Sequence, residues 1–101
     1  MPYALLMTSR VEKELRQFSS HIRTPLVTET LKLAEQPHLG EQLKGRFKAF
    51  RSLHINIRNV QYRVVYEIIE NLQEIHIHAL GSRENFYAKL ERMKLKPIKA
   101  A

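Results

Sequence analysis

The spacing of apolar residues is mainly helical before Phe47 and changes there to a period of two. Tyr3 to Met7 is a short apolar run that reads as a strand. Thr8 or Ser9 caps a helix behind it, Ser9 and Glu12 have the spacing of a capping box, and Val11, Leu15 and Phe18 recur at helical spacing. After Ser19, Ser20 and Pro25 a second helix is expected to about Gln36, with Leu26, Leu31, Leu33 and Ala34 on its apolar side. Pro37 and Gly40 end it and open a loop. Together these segments predict a helical hairpin.

Beyond Phe47, Leu53, Ile55 and Ile57 alternate with His54, Asn56 and Arg58. Asn59 marks a turn. Val60 to Ile69 is a second strand, with Val64 and Tyr66 on one face and Arg63 and Val65 on the other. Asn71 marks the next turn, and Glu74 to Leu80 is a third strand, in which Ile75 and Ile77 alternate with His76 and His78 before Gly81 ends it. Glu84 to about Met93 is a last helix. The order β-α-α-β-β-β-α is that of one α+β domain over residues 1–93, followed by a basic C-terminal tail, 94–101. Consecutive strands with short turns predict an antiparallel sheet. The hairpin should cover one face and leave the other open for basic side chains.

Length and composition narrow the classes. A chain of 101 residues suits one domain with one core. It has no Cys, which removes disulfide and thiolate chemistry and fits a reducing cytoplasm. MPYALLMTS has no basic segment ahead of its short apolar run, so a secretion leader is not expected. No apolar run is long enough to cross a bilayer, and no membrane association is expected.

The net charge of +7 is unevenly spread. Residues 44–66 hold Lys44, Arg46, Lys48, Arg51, Arg58 and Arg63 with no acid, whereas residues 1–43 hold five basic and five acidic side chains and 67–101 six and five. Folding should gather this excess on one surface. Such a surface either attracts phosphate backbones or is a solvated face that aids solubility.

Three stretches in order, PHLGEQLKG, YRVVYEI and GSRENFY, resemble the RelE/ParE toxin superfamily. That family opens its sheet with Leu-(Lys/Arg)-Gly, places Tyr-Arg-hydrophobic-hydrophobic-Tyr on the middle strand and closes the site with Gly-x-Arg…Tyr. The likeness extends over roughly residues 3–90. It implies a RelE-like fold, a twisted antiparallel sheet covered on one face by a helical hairpin. It also implies a cytoplasmic toxin of a type II toxin–antitoxin system, an endoribonuclease cleaving mRNA in the ribosomal A site without metal or cofactor. Its partners would be mRNA, the ribosome and a cognate antitoxin that masks the site.

Metal-free RNA cleavage uses the ribose 2′-OH as nucleophile, so the site needs fixed cations, a proton acceptor and a proton donor. The resemblance assigns Arg63 the transition-state role; its planar fork can hold two phosphate oxygens. Arg83 matches the second arginine and suits charge stabilisation, because a guanidinium is a poor acid. Tyr87 matches the closing tyrosine, able to stack on a base or engage the 2′-OH. Phe86 beside it is the better core candidate. Well-studied nucleases of the family carry two lysines on the first long strand, where this chain has His54 and Asn56. His54 can exchange protons near neutral pH and is expected to take over that step. Lys44, Arg46, Lys48, Arg51, Asn56 and Arg58 read as phosphate- and RNA-binding groups. His76 and His78 have the spacing of a metal pair but lack a third ligand, so no metal is expected. Two other readings remain: a ParE-like inhibitor of DNA gyrase on the same fold, and a non-catalytic RNA-binding module that needs only the basic face.

Overall fold

Helical spacing and alternation resolve into three helices and five strands in a computed structural model, which describes residues 2–84 and 86–98. They are β1 (Ala4–Met7), α1 (Ser9–Gln17), α2 (Ser20–Leu31), β2 (Glu41–Gln42), β3 (Arg51–Ile57), β4 (Val60–Ile69), β5 (Glu74–Ser82) and α3 (Phe86–Met93). The strand order is β1-β5-β4-β3-β2. β1 runs parallel to β5, and the other pairs are antiparallel. This is the α+β, RelE-like arrangement read from the sequence, with β2 as an unforeseen edge.

Helix boundaries depart from the reading by a few residues. Thr8 is extended and its hydroxyl accepts from the Val11 N–H at 3.1 Å, so it is the N-cap. Ser9 is already helical, which moves the third helical position to Val11 and leaves no capping box with Glu12. α2 begins at Ser20 and carries Pro25 within it, losing one backbone rung rather than starting after the proline. It ends at Leu31 and tightens into a 3₁₀ turn, Lys32–Ala34. Leu26 and Leu33 are buried, but Leu31 faces solvent at 57% exposure, contrary to its expected core position.

Alternation sends Leu53, Ile55 and Ile57 of β3, with Tyr62, Val64 and Tyr66 of β4, against the helical hairpin. β5 joins them through Ile75 and Ile77, then breaks period. The register shifts at Val65/Tyr66, where Val65 faces Ala79 and Tyr66 faces Ile77. His78 is the extra residue of this bulge, so Leu80 returns to the hairpin face while Ala79 joins the other. β5 also continues past Gly81 to Ser82.

The second face is not simply open. Phe50, Val65 and Ala79 meet Leu43, Phe86 and Leu90 in a second buried cluster, where a single core was expected. Burying Phe86 and Leu90 contributes roughly 1.5–3 kcal/mol each and seats α3 on the sheet. The segment expected as a tail partly lies back on this face: Leu95 packs on the second cluster, and the Ile98 N–H donates to the buried Glu67 carboxylate at 2.9 Å. Residues 99–101 of that tail, and Asn85 of the third motif, lie outside the described residues.

The first two sequence motifs touch each other. The Tyr66 hydroxyl accepts from the Gly40 N–H at 2.9 Å and donates to the Pro37 carbonyl at 2.7 Å. A Cβ at Gly40 would lie 2.7 Å from that hydroxyl, so only glycine fits this approach. Gly45 has φ +64, the left-handed conformation that glycine adopts without strain. The loop between the hairpin and β3 is thereby fixed, and β2 with it.

Candidate nucleic-acid interface and catalytic site

The register across β3, β4 and β5 sets His54 opposite Arg63 and Arg63 opposite Gly81. One pleat along, Asn56 faces Gln61, and the Arg83 N–H bonds the Gln61 carbonyl at 2.8 Å. Two transverse rows, His54–Arg63–Gly81 and Asn56–Gln61–Arg83, therefore lie side by side on the face away from the hairpin. Gly81 brings no side chain to its row. The space above Arg63 is taken from α3, whose Tyr87 ring has the guanidinium 5.6 Å from its centroid. Tyr87 is half exposed, whereas Phe86 is buried in the second cluster.

Arg63 is held from both sides. Its Nη1 lies 2.9 Å from His54 Nε2. A guanidinium only donates, so Nε2 must accept, which leaves the ring neutral with its proton on Nδ1. Burial lowers the His54 pKa below the ordinary imidazole value, the Arg63 charge lowers it further, Glu41 opposes, and Arg83 adds a smaller lowering. Arg83 is thus within electrostatic reach of the same imidazole. A neutral imidazole within electrostatic reach of two guanidinium groups can accept a proton, and a phosphate bound to Arg63 would free its Nε2 to do so.

α3 is clasped on two sides. The Lys89 ammonium is 2.7 Å from the Glu14 carboxylate of α1 and donates to the Leu80 carbonyl at 2.9 Å. Glu91 pairs with Arg46 at 2.7 Å. These contacts set where Tyr87 stands. The sequence reading missed Lys89 and Glu14, because the pair joins elements far apart in the chain.

The six cations of residues 44–66 do not share one surface, contrary to expectation. Lys44 lines a cleft with Phe47 and Tyr87, the ring that also meets Arg63. Arg46 is engaged by Glu91 and stacks over Phe47 at 5.0 Å. Arg51 alternates onto the side of Leu53 and Ile55, and its guanidinium bonds the Gly40 carbonyl at 2.9 Å and the His38 carbonyl at 3.4 Å. It therefore fastens a loop, and Lys48 lies near it, in a cleft with His38 and Glu70. Asn56 accepts from the Asn59 N–H at 3.1 Å and so closes the β3–β4 turn, in which Arg58 has φ 51. The arrangement brings together His54, Arg63, Arg83, Tyr87 and Lys44.

Glu41, also missed from sequence, lies where two clefts meet. One runs past Ser52, His54 and Leu39; the other runs past Lys44 and Phe47 to Tyr87. Its only sequence signal was an acid directly ahead of the basic stretch. His76 bonds Glu74 at 2.9 Å and His78 bonds Glu67 at 3.1 Å. Among the described residues no group of three His, Cys, Asp or Glu could hold a metal ion. Among them, too, no helix is long and apolar enough to cross a membrane.

Residues 5–91 match a family model described as the ParE-like toxin of type II bacterial toxin–antitoxin systems. The mRNA interferase toxin RelE of Escherichia coli K12 is 27% identical over 95 residues, covering 93% of this chain and 97% of that protein. The solved structure of the isolated E. coli RelE toxin superposes with a TM-score of 0.67 at 25% identity, over 92% of this chain and 99% of that one. A chain of the toxin–antitoxin complex RelBE2 from Mycobacterium tuberculosis superposes with a TM-score of 0.70 at 21% identity, over 82% of this chain and 100% of that one.

Proposed function

The chain belongs to the ParE-like toxins of type II bacterial toxin–antitoxin systems and has the RelE fold, and from that premise we propose that it is an endoribonuclease that cuts messenger RNA. The observation that carries the reading is the contact of Arg63 with both His54 and Tyr87. It joins a phosphate-binding fork, a neutral base and a stacking ring at one point.

In this reading Arg63 grips the scissile phosphate and meets the charge that grows on it as the 2′-OH attacks. Gripping the phosphate draws the guanidinium off His54 Nε2, and the freed lone pair takes the 2′ proton. The 2′ oxygen forms a bond to phosphorus while the bond from phosphorus to the 5′ oxygen breaks, giving a cyclic phosphate and a leaving 5′ oxygen that takes its proton from water to become the 5′-hydroxyl. Arg83 supplies a second positive charge on the leaving side. Tyr87 stacks on a neighbouring base. Lys44 holds an adjacent phosphate without reading sequence. Arg46, Lys48, Arg51, Asn56 and Arg58 lie outside this inner set and at most steer the polymer. No step calls for a metal.

Cutting in the ribosomal A site, as the resemblance implies, adds the ribosome as a partner, and an antitoxin covering this face would silence it. The structure of RelBE2 is that of a toxin with its antitoxin, which supports a cognate antitoxin here. The test is cleavage of mRNA by the purified chain on programmed ribosomes and as naked RNA, beside a gyrase supercoiling assay. Cuts inside the codon that His54→Ala or Arg63→Ala strongly slow are the expected result. Intact RNA with blocked supercoiling would assign the chain to gyrase inhibition instead.

A further inference from the structure

Of the two clefts that meet at Glu41, the one beside Tyr87 has the make-up of a stacking site: Phe47, Tyr87 and Lys44 suit any base and its phosphate. The one beside His54 is different. Lys32 at its far wall is already 2.9 Å from Glu29, so its charge is answered. Glu41 then leaves this cleft with surplus negative charge, which repels phosphate. A carboxylate here suits a ligand that offers hydrogen-bond donors rather than a phosphate.

A second observation points the same way. Ser52 lines this cleft, is 1% exposed, and its hydroxyl has no hydrogen-bond partner among the described residues. A buried hydroxyl without a partner carries a desolvation cost that a ligand's polar atom would remove. Leu39, 46% exposed, and Leu53 give the cleft an apolar wall for a flat ring. Glu41 is paired in register with Ser52, two residues before His54 and on the same face of β3, so the acceptor stands beside the proposed chemistry.

We propose that the cleft of Glu41, Ser52 and Leu39 is a guanine-reading subsite for one of the two nucleosides flanking the cleaved linkage; this rests on the nuclease reading above. Guanine offers two adjacent donors, N1–H and the N2 amine, that match the two oxygens of one carboxylate. Adenine and cytosine put a ring acceptor beside their single amine, and uracil has one N–H between two carbonyls. Each of these turns a lone pair toward Glu41 where guanine turns a hydrogen. One cleft thus holds a base by stacking and the other selects it by donor pattern.

The test has two arms. First, GMP, IMP and AMP are titrated into the full chain while amide signals are followed by NMR. GMP should shift Glu41, Ser52 and Leu53 at about 10-fold lower concentration than AMP, with IMP between them. Glu41→Gln should remove the difference, and Ser52→Ala should weaken GMP without unfolding the protein. Second, mRNAs differing only by G or A at the flanking position are cleaved on programmed ribosomes. Wild type should prefer G about 10-fold, Glu41→Gln should flatten the ratio, and His54→Ala should slow both substrates and keep it. The ratio within each variant cancels any change in overall rate. GMP and AMP shifting the same amides equally, or an unchanged ratio in Glu41→Gln, would overturn the subsite. Selective GMP binding with no RNA cleavage would leave the subsite standing and defeat the nuclease reading.

Discussion

Replacing Lys89 with Met keeps most of the side chain's length and removes its charge. The ammonium joins three elements: Glu14 of α1 at 2.7 Å, the Leu80 carbonyl of β5 at 2.9 Å, and α3 itself. Leu80 is 4% exposed, so little water can replace the lost donor, and an acceptor left this way costs about 1–3 kcal/mol. The ion pair counts for less, because both side chains are about a quarter exposed, at 28% and 26%; after screening it contributes at most about 1 kcal/mol. A total loss near 2 kcal/mol follows, measurable as a lower urea midpoint at unchanged slope. The functional effect runs through Tyr87, two residues away on α3. Its ring should lose its fixed place over Arg63, and kcat should fall about 10-fold with KM unchanged. Single-turnover cleavage by wild type, Lys89→Met, Tyr87→Ala and the double variant separates the two effects. Once Tyr87 is gone, displacing it costs nothing, so Lys89→Met should add little to Tyr87→Ala. A stability loss below about 0.5 kcal/mol, or a full 10-fold drop in the Tyr87→Ala background, would refute the reasoning.

Other consequences follow from the same coordinates. Gly40→Ala places a Cβ 2.7 Å from the Tyr66 hydroxyl and 2.9 Å from the Ser52 carbonyl carbon, and should cost about 2–4 kcal/mol in urea unfolding. Tyr66→Phe, which removes two hydrogen bonds without a clash, should cost about 1–3 kcal/mol. Since burial and Arg63 lower the His54 pKa in the free protein, the acid limb of kcat/KM should have its midpoint below the ordinary imidazole value and vanish in His54→Ala; a midpoint at or above that value would exclude His54 as the base. Burial likewise lowers the His78 pKa, despite its bond to Glu67. Both imidazoles then bind protons less readily folded than unfolded, so stability should fall as pH drops through the unfolded value near 6.5, and urea midpoints taken across it should show this.

The long strands were legible because alternation persists for seven residues or more and turn residues bound it, as in β3 and β4. β2 was not, since two residues have no period. The Ser9–Glu12 capping box and the start of α2 differ from expectation, because the backbone angle of one residue decides where each helix begins. The second cluster escaped because Phe50, Val65, Ala79 and Phe86 come from separate segments that only the sheet unites. For the site, pairing of His54 with Arg63 follows from alternation and register, and both were named. Alternation also turns Arg51 away from that face, a consequence that its charge concealed. Glu41 and Lys89 act through neighbours distant in sequence, Tyr87 and Glu14 among them, and no local pattern marks such contacts.

Nuclease function stands on Arg63 at the crossing of His54 and Tyr87. Primer extension on transcripts from cells inducing wild type or Arg63→Ala tests it most directly. New 5′ ends inside translated reading frames are expected with wild type, and a reduction of about 100- to 1000-fold with Arg63→Ala. Transcripts that stay intact while wild type arrests growth, or cuts that persist undiminished in Arg63→Ala, would contradict it.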